Sequence, residues 1–209
     1  MRAAVNGALR RIPVWAVWVA GLIPLALVVF DLLTGRMGVD PIREIEHRLG
    51  QTALYFLVGG LAVTPLLRIT GISLMRFRRA IGLLCFAHAL PHVLAWVVLD
   101  MGLLWGQMLR DVVKRPYLLV GMLAFVMLVP LAVTSNNLSI RRMGAAAWRG
   151  LHKLVYPAAV LAALHWIWAV KIDELQPWFW MLTILALLAL RPLIPRPIRW
   201  GTMKVSKTF

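Results

Sequence analysis

The sequence predicts an all-α membrane protein, a bundle of six transmembrane helices with both termini in the cytoplasm. Hydrophobic residues make up 61% of the 209 residues, and the mean hydropathy is +0.80. A soluble domain of this size rarely reaches such values, because it keeps a polar surface. Apolar stretches also recur at the length of about 20 residues that crosses a bilayer. We therefore expect a single transmembrane domain over residues 1–209.

Six apolar stretches are the predicted membrane spans. They lie near 13–33, 51–67, 80–101, 117–135, 151–170 and 178–195. The first is followed by VVFDLLTGR, which offers no small-residue cleavage site, so we interpret it as a membrane helix and not as a signal peptide. The fifth is compatible with a helical start near Ala145. The connections are short, which indicates one compact bundle.

The charged residues predict the orientation of these spans. Sixteen of the 23 Lys and Arg residues lie at the N-terminus, in the second and fourth connections or in the C-terminal tail, and seven lie on the opposite side. All eight acidic residues lie on that opposite side: Asp31, Asp40, Glu44, Glu46, Asp100, Asp111, Asp173 and Glu174. Cytoplasmic segments are rich in Lys and Arg, so the basic side is predicted to be cytoplasmic. The net charge of +15 is then a topology signal, and we do not expect a nucleic-acid partner.

Tryptophans near the span ends predict an interfacial aromatic belt. They are Trp15, Trp18, Trp105, Trp148, Trp166, Trp168, Trp178 and Trp180. The single cysteine, Cys85, excludes an internal disulfide, a Cys-ligated iron–sulfur cluster and a CxxCH haem attachment.

Four of the five histidines are confined to two of the six spans. His88 and His92 belong to the third span, and His152 and His165 belong to the fifth. An ionisable side chain within a membrane is costly and is by default a functional candidate, although a lone histidine can simply hydrogen-bond between helices. Their concentration in two spans favours a cofactor site. His47 lies in the charged connection DPIREIEHRLG and is expected to be a solvated surface residue.

Height in the membrane pairs His92 with His165. At 1.5 Å per residue, His152 and His165 lie about 20 Å apart along the helix axis, one near the cytoplasmic face and one toward the outer face. His92 lies twelve residues into the third span and reaches the outer height. Two imidazoles from facing helices are the ligands that bundles offer to b-type haem. Zinc would need three or four ligands at one height, and no carboxylate lies at that depth.

The helical phase of the fifth span leaves two alternatives open. Thirteen residues at about 100° each place His152 and His165 about 140° apart around a straight helix. Either Pro157 kinks or re-phases the helix, or two cofactors approach it from different sides.

Arg78 lies at the cytoplasmic end of the third span. It shares a helix face with His92, because fourteen residues at about 100° each leave the two only about 40° apart around the helix axis. The arginines of RFRRAIG and SIRRMG are expected to anchor to lipid headgroups, and contact with haem propionates or an anionic cofactor is the alternative. His88, one turn from His92, has three open roles: ligand of a second iron, hydrogen bond to a propionate, or contact with a neighbouring helix.

Segments along nearly the whole chain match one known family in order and spacing. They are DPIREIEHRLG with QTAL, LAVTPLLR, RRAIGLLCFAHALPHVL, KRPYLLVG and LAVTSNNLSIRRMGAAAWRGLHKLVYPAAVLAALHWIW. In these segments the chain resembles the MsrQ (YedZ) family, within the ferric-reductase-like transmembrane group. These are the haem-binding membrane subunits of the bacterial protein-methionine-sulfoxide reductase system.

The resemblance implies an electron-transfer subunit of the bacterial inner membrane. Such proteins pass electrons from the quinone pool or a cytoplasmic flavin reductase, through one or two haems b, to a periplasmic molybdopterin enzyme that repairs methionine sulfoxide. The family's haem ligands correspond to His92, His152 and His165. At the position of His88 the family more often has an aromatic residue. FMN is implied by the resemblance alone, because no GxGxxG motif follows a strand here.

The residues themselves favour an electron conduit over a complete enzyme. We find no soluble dehydrogenase domain and no catalytic constellation on the outer side, so substrate chemistry is expected on a partner. The connection 34–50 and the segment LWGQMLRDVVKRP are the candidate docking surface. Two alternatives remain: a stand-alone transmembrane ferric or quinone reductase, and a non-haem transporter that uses histidines as a proton relay.

Overall fold

The computed structural model describes residues 2–170 and 174–193. Several residues used in the sequence argument lie outside these ranges: the basic Lys171, Arg196, Arg199, Lys204 and Lys207, the acidic Asp173, and residues 194–195 of the predicted sixth span.

Within the described ranges every regular element is helical, which confirms the all-α prediction. The helices are α1 (Arg2–Arg11), α2 (Val14–Leu33), α3 (Pro41–Thr70), α4 (Arg78–Ala95), α5 (Trp105–Lys114), α6 (Pro116–Val133), α7 (Asn137–Met143), α8 (Ala145–Leu151), α9 (Val155–Ala169) and α10 (Gln176–Leu193). Short 3₁₀ turns cover Met75–Phe77 and His152–Leu154, and a π-helical turn, Trp96–Asp100, continues α4.

Five helical stretches are long and apolar enough to cross a membrane. They are Val14–Leu33, Pro41–Thr70, Met75–Asp100, Pro116–Val133 and Gln176–Leu193. These correspond to the first, second, third, fourth and sixth predicted spans. Large apolar side chains on their outer faces are exposed, as expected for surfaces that contact lipid. The protein is a multi-pass membrane protein.

The charged connection before the second span is largely helical, and its interpretation as a loop is wrong. Helix α3 begins at Pro41, ten residues before the predicted span. The Asp40 carboxylate accepts a hydrogen bond from the Arg43 backbone N–H at 3.2 Å, and proline fits the first helical position because its missing N–H is not needed there. His47 therefore lies on a helix, and its side chain is exposed as expected. Helix α5 likewise occupies most of LWGQMLRDVVKRP.

The predicted fifth span is assembled from three consecutive helical pieces. Helix α8 begins at Ala145, a 3₁₀ turn covers His152–Leu154, and α9 supplies only 15 residues. Pro157 has no N–H to bond the Lys153 carbonyl, so the chain tightens into the 3₁₀ turn just before it. Three residues at about 120° instead of 100° add about 60° of rotation, which reduces the separation of His152 and His165 from about 140° to about 80°.

Helix α9 is packed within the bundle. It contacts α6, α10 and α3. Ala158, Ala159 and Ala163 are fully buried on it, and small side chains let neighbouring membrane helices approach closely. The largest core cluster joins α9 to α3, α4 and α10 through Leu54, Leu57, Val58, Leu61, Cys85, Ala159, Ala163, Trp166 and Ile184. This packing fixes the position of His165, which α9 carries toward the end of the bundle where the acidic residues Asp40, Glu46 and Asp100 lie, called the acidic end below.

Arg191 joins three helices at the end of the bundle where Arg68 and Arg78 also lie, called the basic end below. Its guanidinium donates to the Tyr156 hydroxyl of α9 at 2.9 Å and to the Leu61 carbonyl of α3 at 2.7 Å. It also lies over the Tyr156 ring, 4.8 Å from the centroid. Arg68 donates to the Arg191 carbonyl at 2.6 Å. Helix α10 is thereby tied to α3 and α9.

Candidate functional site

A cavity of about 460 Å³ opens toward the acidic end of the bundle, between α3, α4, α6 and α9. This volume falls within the range of small-molecule and cofactor sites, about 300–1,000 Å³. Its deep part is apolar and includes Leu57, Cys85, Phe125 and Leu128. The rings of His92 and His165 line it from opposite sides of the bundle, one from α4 and the other from α9.

His92 is held by a main-chain carbonyl of the neighbouring helix. Its Nδ1 lies 2.8 Å from the Glu46 carbonyl oxygen of α3. A carbonyl can only accept, so Nδ1 carries the proton of the neutral ring and Nε2 keeps its lone pair. Lone-pair nitrogen is the form in which imidazole binds metal, and a partner on the other nitrogen fixes both tautomer and ring orientation.

His165 is held in the same manner on the opposite side of the cavity. Its Nδ1 lies 2.7 Å from the Tyr117 carbonyl oxygen in the first turn of α6. The Tyr117 carbonyl also only accepts, so Nε2 of His165 again keeps the lone pair. The two rings therefore present the same chemistry to the cavity from two different helix pairs, α3–α4 and α6–α9.

The spacing of the two rings matches two ligands on one metal ion. Their centroids are 6.3 Å apart and their planes are inclined by 73°. With a metal–nitrogen bond of about 2 Å and the nitrogen about 1.1 Å from the ring centre, two axial imidazoles have centroids about 6 Å apart. In the described part of the chain, no group of three or more His, Cys, Asp and Glu side chains is placed to hold a metal ion. The site thus fits a metal that brings its own equatorial ligands, as haem iron does.

Ionisable side chains surround the mouth of the cavity at the acidic end: Asp40, Arg43, Glu46, His47, Asp100 and Arg115. Arg115 donates to the Tyr117 hydroxyl at 3.3 Å, and this bond, together with the nearby Asp111 carboxylate, raises the pKa of Arg115. The His47 ring meets the ring of Trp166 edge-on, with centroids 6.1 Å apart. The mouth is therefore polar and charged where the interior is apolar.

Comparison with known proteins places the chain in a family. The ferric reductase like transmembrane component family matches residues 48–163. A protein-methionine-sulfoxide reductase heme-binding subunit MsrQ of Brucella ovis is 44% identical over 177 residues, covering 85% of this chain and 80% of the relative. The chain belongs to the MsrQ family. Proteins of the same name from Brucella canis and Brucella suis match with the same identity and coverage. No solved structure matches the chain.

In this MsrQ-family chain the described residues that line the cavity do not include His152. The ring of His152 is held by a side chain, unlike the rings of His92 and His165. The Thr134 hydroxyl lies 2.6 Å from the Pro130 carbonyl and 3.0 Å from Nε2 of His152. The hydroxyl proton goes to the carbonyl, which cannot donate, so Nε2 of His152 must donate to the hydroxyl oxygen. The ring also stacks on Trp148, with centroids 3.9 Å apart. His152 thus offers Nε2–H, where the cavity pair offers lone pairs.

The two histidines of the fifth span both face α6, His152 through Thr134 and His165 through Tyr117. The re-phased helix is therefore the alternative that the geometry follows. Arg78 is exposed at the start of α4, and its charge acts on His152. The start of α4 therefore offers His152 a cation and not a second imidazole.

His88 is fully buried in the interface of α3 and α4. It is not one of the described residues that line the cavity. Its Nδ1 bonds the Leu84 carbonyl of its own helix at 2.9 Å, and its ring is 5.2 Å from that of Phe56. Its Nε2 is buried without a hydrogen-bond partner in the described residues. Of the three roles left open by the sequence, contact with a neighbouring helix is the one that these distances support.

Sequence reasoning missed three contributors to the site. Trp166 was assigned to the interfacial belt, but it is only 7% exposed and lines the cavity. Gly50 of α3 and Gly121 of α6 lie against the rings of His92 and His165. The sequence did offer one indication of these two positions. A glycine within an apolar helix lowers helix propensity, and it often marks a place where a neighbouring helix or side chain approaches the backbone closely.

Proposed function

We propose that the chain is a haem b electron-transfer subunit of the bacterial inner membrane, a single transmembrane domain with both termini cytoplasmic. His92 and His165 would hold a haem at the acidic end. The resemblance also assigns His152 to a second haem at the basic end, which its Nε2 could bind only after giving up its proton and its hydrogen bond to the Thr134 hydroxyl. The proposal rests above all on the facing rings of His92 and His165, 6.3 Å apart in one cavity. Bound haem iron supplies one-electron redox chemistry.

The chain's own residues bind, orient and shield that group. The carbonyls of Glu46 and Tyr117 hold the two ligand nitrogens in the metal-binding tautomer. Apolar side chains such as Phe125 and Leu128 exclude water from the deep part of the cavity, which favours a defined potential. The charged mouth leaves one edge of the site close to the outer surface.

The name of the relatives supports a proposal for the direction of electron transfer. These relatives are named as heme-binding subunits of a protein-methionine-sulfoxide reductase. We therefore propose that this chain delivers electrons to a periplasmic molybdopterin reductase, and that it receives them from quinol or from a cytoplasmic flavin reductase that supplies FMN chemistry. The docking surface is the acidic end, formed by the N-terminal turns of α3 and by α5, where Trp105 and Leu109 are exposed.

A dithionite-reduced absorption spectrum of the purified protein tests the haem assignment. We expect the Soret and α bands of haem b, and His92→Ala and His165→Ala should each remove the haem of the outer site. His47→Ala is the matched control, because His47 is exposed at the mouth and binds no metal in this scheme. A protein without haem bands, or full haem retention in both ligand variants, would refute the assignment.

The second candidate is a stand-alone ferric or quinone reductase. The match to the ferric reductase like transmembrane component over residues 48–163 favours it, because that family is defined by the membrane domain and not by the sulfoxide reductase. Reoxidation kinetics separate the two. Rapid oxidation of the reduced protein by the molybdopterin reductase plus methionine sulfoxide supports the first function. Equally rapid oxidation by a ferric chelate or a quinone, without that reductase, supports the second.

A further inference from the structure

Each ring of the cavity pair lies directly on the backbone of the neighbouring helix, at a glycine. A Cβ atom at Gly121 would lie 2.6 Å from Nδ1 and 2.9 Å from Cε1 of His165. A Cβ atom at Gly50 would lie 3.1 Å from Cε1 and 3.2 Å from Nδ1 of His92. The first approach is closer than real Cβ atoms tolerate, and the second is tight. Any side chain at Gly121 must therefore displace the ring.

The two contacts are built on one plan. Each ring donates from Nδ1 to the carbonyl of a residue that stands four positions before the glycine, Glu46 before Gly50 and Tyr117 before Gly121. In an α-helix the carbonyl oxygen of residue i already accepts a hydrogen bond from the N–H of residue i+4. The ring therefore donates to the second lone pair of the same oxygen. Only a residue without Cβ at position i+4 leaves room for the ring to reach it.

We propose that Gly50 and Gly121 are positioning residues that set the rotation and the tautomer of the two ligand imidazoles, and through them the spin state and reduction potential of the outer haem. This inference rests on the proposed function. A glycine in a helix interior is less favourable than alanine, so helix stability alone would favour alanine at both positions. The glycines act through the histidines and do not touch the metal.

The two glycines differ in the size of the effect that they should show. Alanine at Gly121 collides with the atom that makes the 2.7 Å bond to Tyr117, so that bond is lost. Alanine at Gly50 requires the His92 ring to move by only a few tenths of an ångström. Loss of the Nδ1–H bond makes the imidazole a weaker donor to iron, which favours the reduced metal and raises the potential.

The test is a set of alanine variants of the full-length haem-loaded protein. Gly121→Ala is expected to bind haem about 10- to 100-fold more weakly, as is typical when a partner of a metal-ligating histidine is lost. Residual haem in that variant should contain a high-spin fraction, seen by absorption and electron paramagnetic resonance. Gly50→Ala should keep its haem with a smaller shift to higher potential. Gly82→Ala is the matched control, because a Cβ on that α4 glycine meets nothing within 4 Å.

The outcomes separate this inference from the proposed function. Wild-type protein without haem refutes the proposed function and this inference with it. Wild-type protein with haem, together with Gly121→Ala and Gly50→Ala proteins whose spin state and potential equal those of Gly82→Ala, refutes only the positioning role. If Gly121→Ala yields no folded protein, the potential of Gly50→Ala decides: a shift supports the role, and an unchanged potential refutes it.

Discussion

Replacement of Arg191 by methionine tests the junction of three helices at the basic end. The change removes the hydrogen bonds from the guanidinium to the Tyr156 hydroxyl and to the Leu61 carbonyl, 2.9 and 2.7 Å long. A hydrogen bond from a charged group contributes about 1.5–3 kcal/mol. Because Arg191 is only half-buried, the lower value applies, and the two bonds together give about 3 kcal/mol. For a chain of this size, about 2–4 °C per kcal/mol converts that loss to a fall in Tm of about 6–12 °C.

The single cysteine provides the assay for this variant. Cys85 is 2% exposed in the core cluster, so a thiol-reactive fluorophore in detergent solution reports the unfolding of the bundle around it. Arg110→Met is the control, because Arg110 is an exposed side chain of the acidic end. Arg191→Lys keeps the charge but cannot reach both acceptors with a planar fork, and it should unfold between wild type and Arg191→Met. A Tm of Arg191→Met equal to that of Arg110→Met would show that the junction contributes nothing.

Three further predictions address single features of the fold. Asp40→Ala removes the acceptor that caps the Arg43 N–H and should lower the free energy of unfolding by about 0.5–2 kcal/mol. Asp40→Asn keeps an acceptor and should unfold at the same temperature as wild type. Equal Tm values for the two variants would argue against the cap. Ile184→Ala truncates a fully buried side chain and should cost about 2–5 kcal/mol in the same thermal assay, and a loss below that range would place Ile184 outside the core. Thr134→Val removes the acceptor of the His152 Nε2–H and should lower the free energy of unfolding by about 0.5–1.5 kcal/mol. Thr134→Ser keeps the hydroxyl and should unfold at the same temperature as wild type.

Hydropathy was sufficient to locate most of the membrane helices, because apolar length is the property that a bilayer selects. It could not find where α3 begins, since Asp40 and Pro41 start that helix by local capping outside the apolar stretch. Hydropathy also could not foresee that the predicted fifth span combines a 3₁₀ turn with an α9 of only 15 residues. That division depends on the missing N–H of Pro157, a local effect that an average over 20 residues does not register.

The candidate site was predicted in part for a similar reason. Rise per residue places His92 and His165 at one height, and their rings do lie 6.3 Å apart. The angle around the axis was not predictable from a straight helix, because the 3₁₀ turn changes the phase between His152 and His165. The carbonyl partners were invisible as well, since a main-chain oxygen carries no sequence signal. Gly121 was the nearest available indication, and its meaning depends on which helix lies opposite.

The partners of the three histidines differ in what they permit. Carbonyl oxygens accept only, so the protons on Nδ1 of His92 and His165 cannot change places without moving the rings away from Glu46 and Tyr117. The hydroxyl of Thr134 both donates and accepts, so after a rotation about its C–O bond it can donate to a His152 ring whose proton has moved from Nε2 to Nδ1, while that ring stays stacked on Trp148. The acidic end therefore holds one tautomer of each of its two rings, and the hydrogen-bond partner at the basic end accommodates either tautomer of His152.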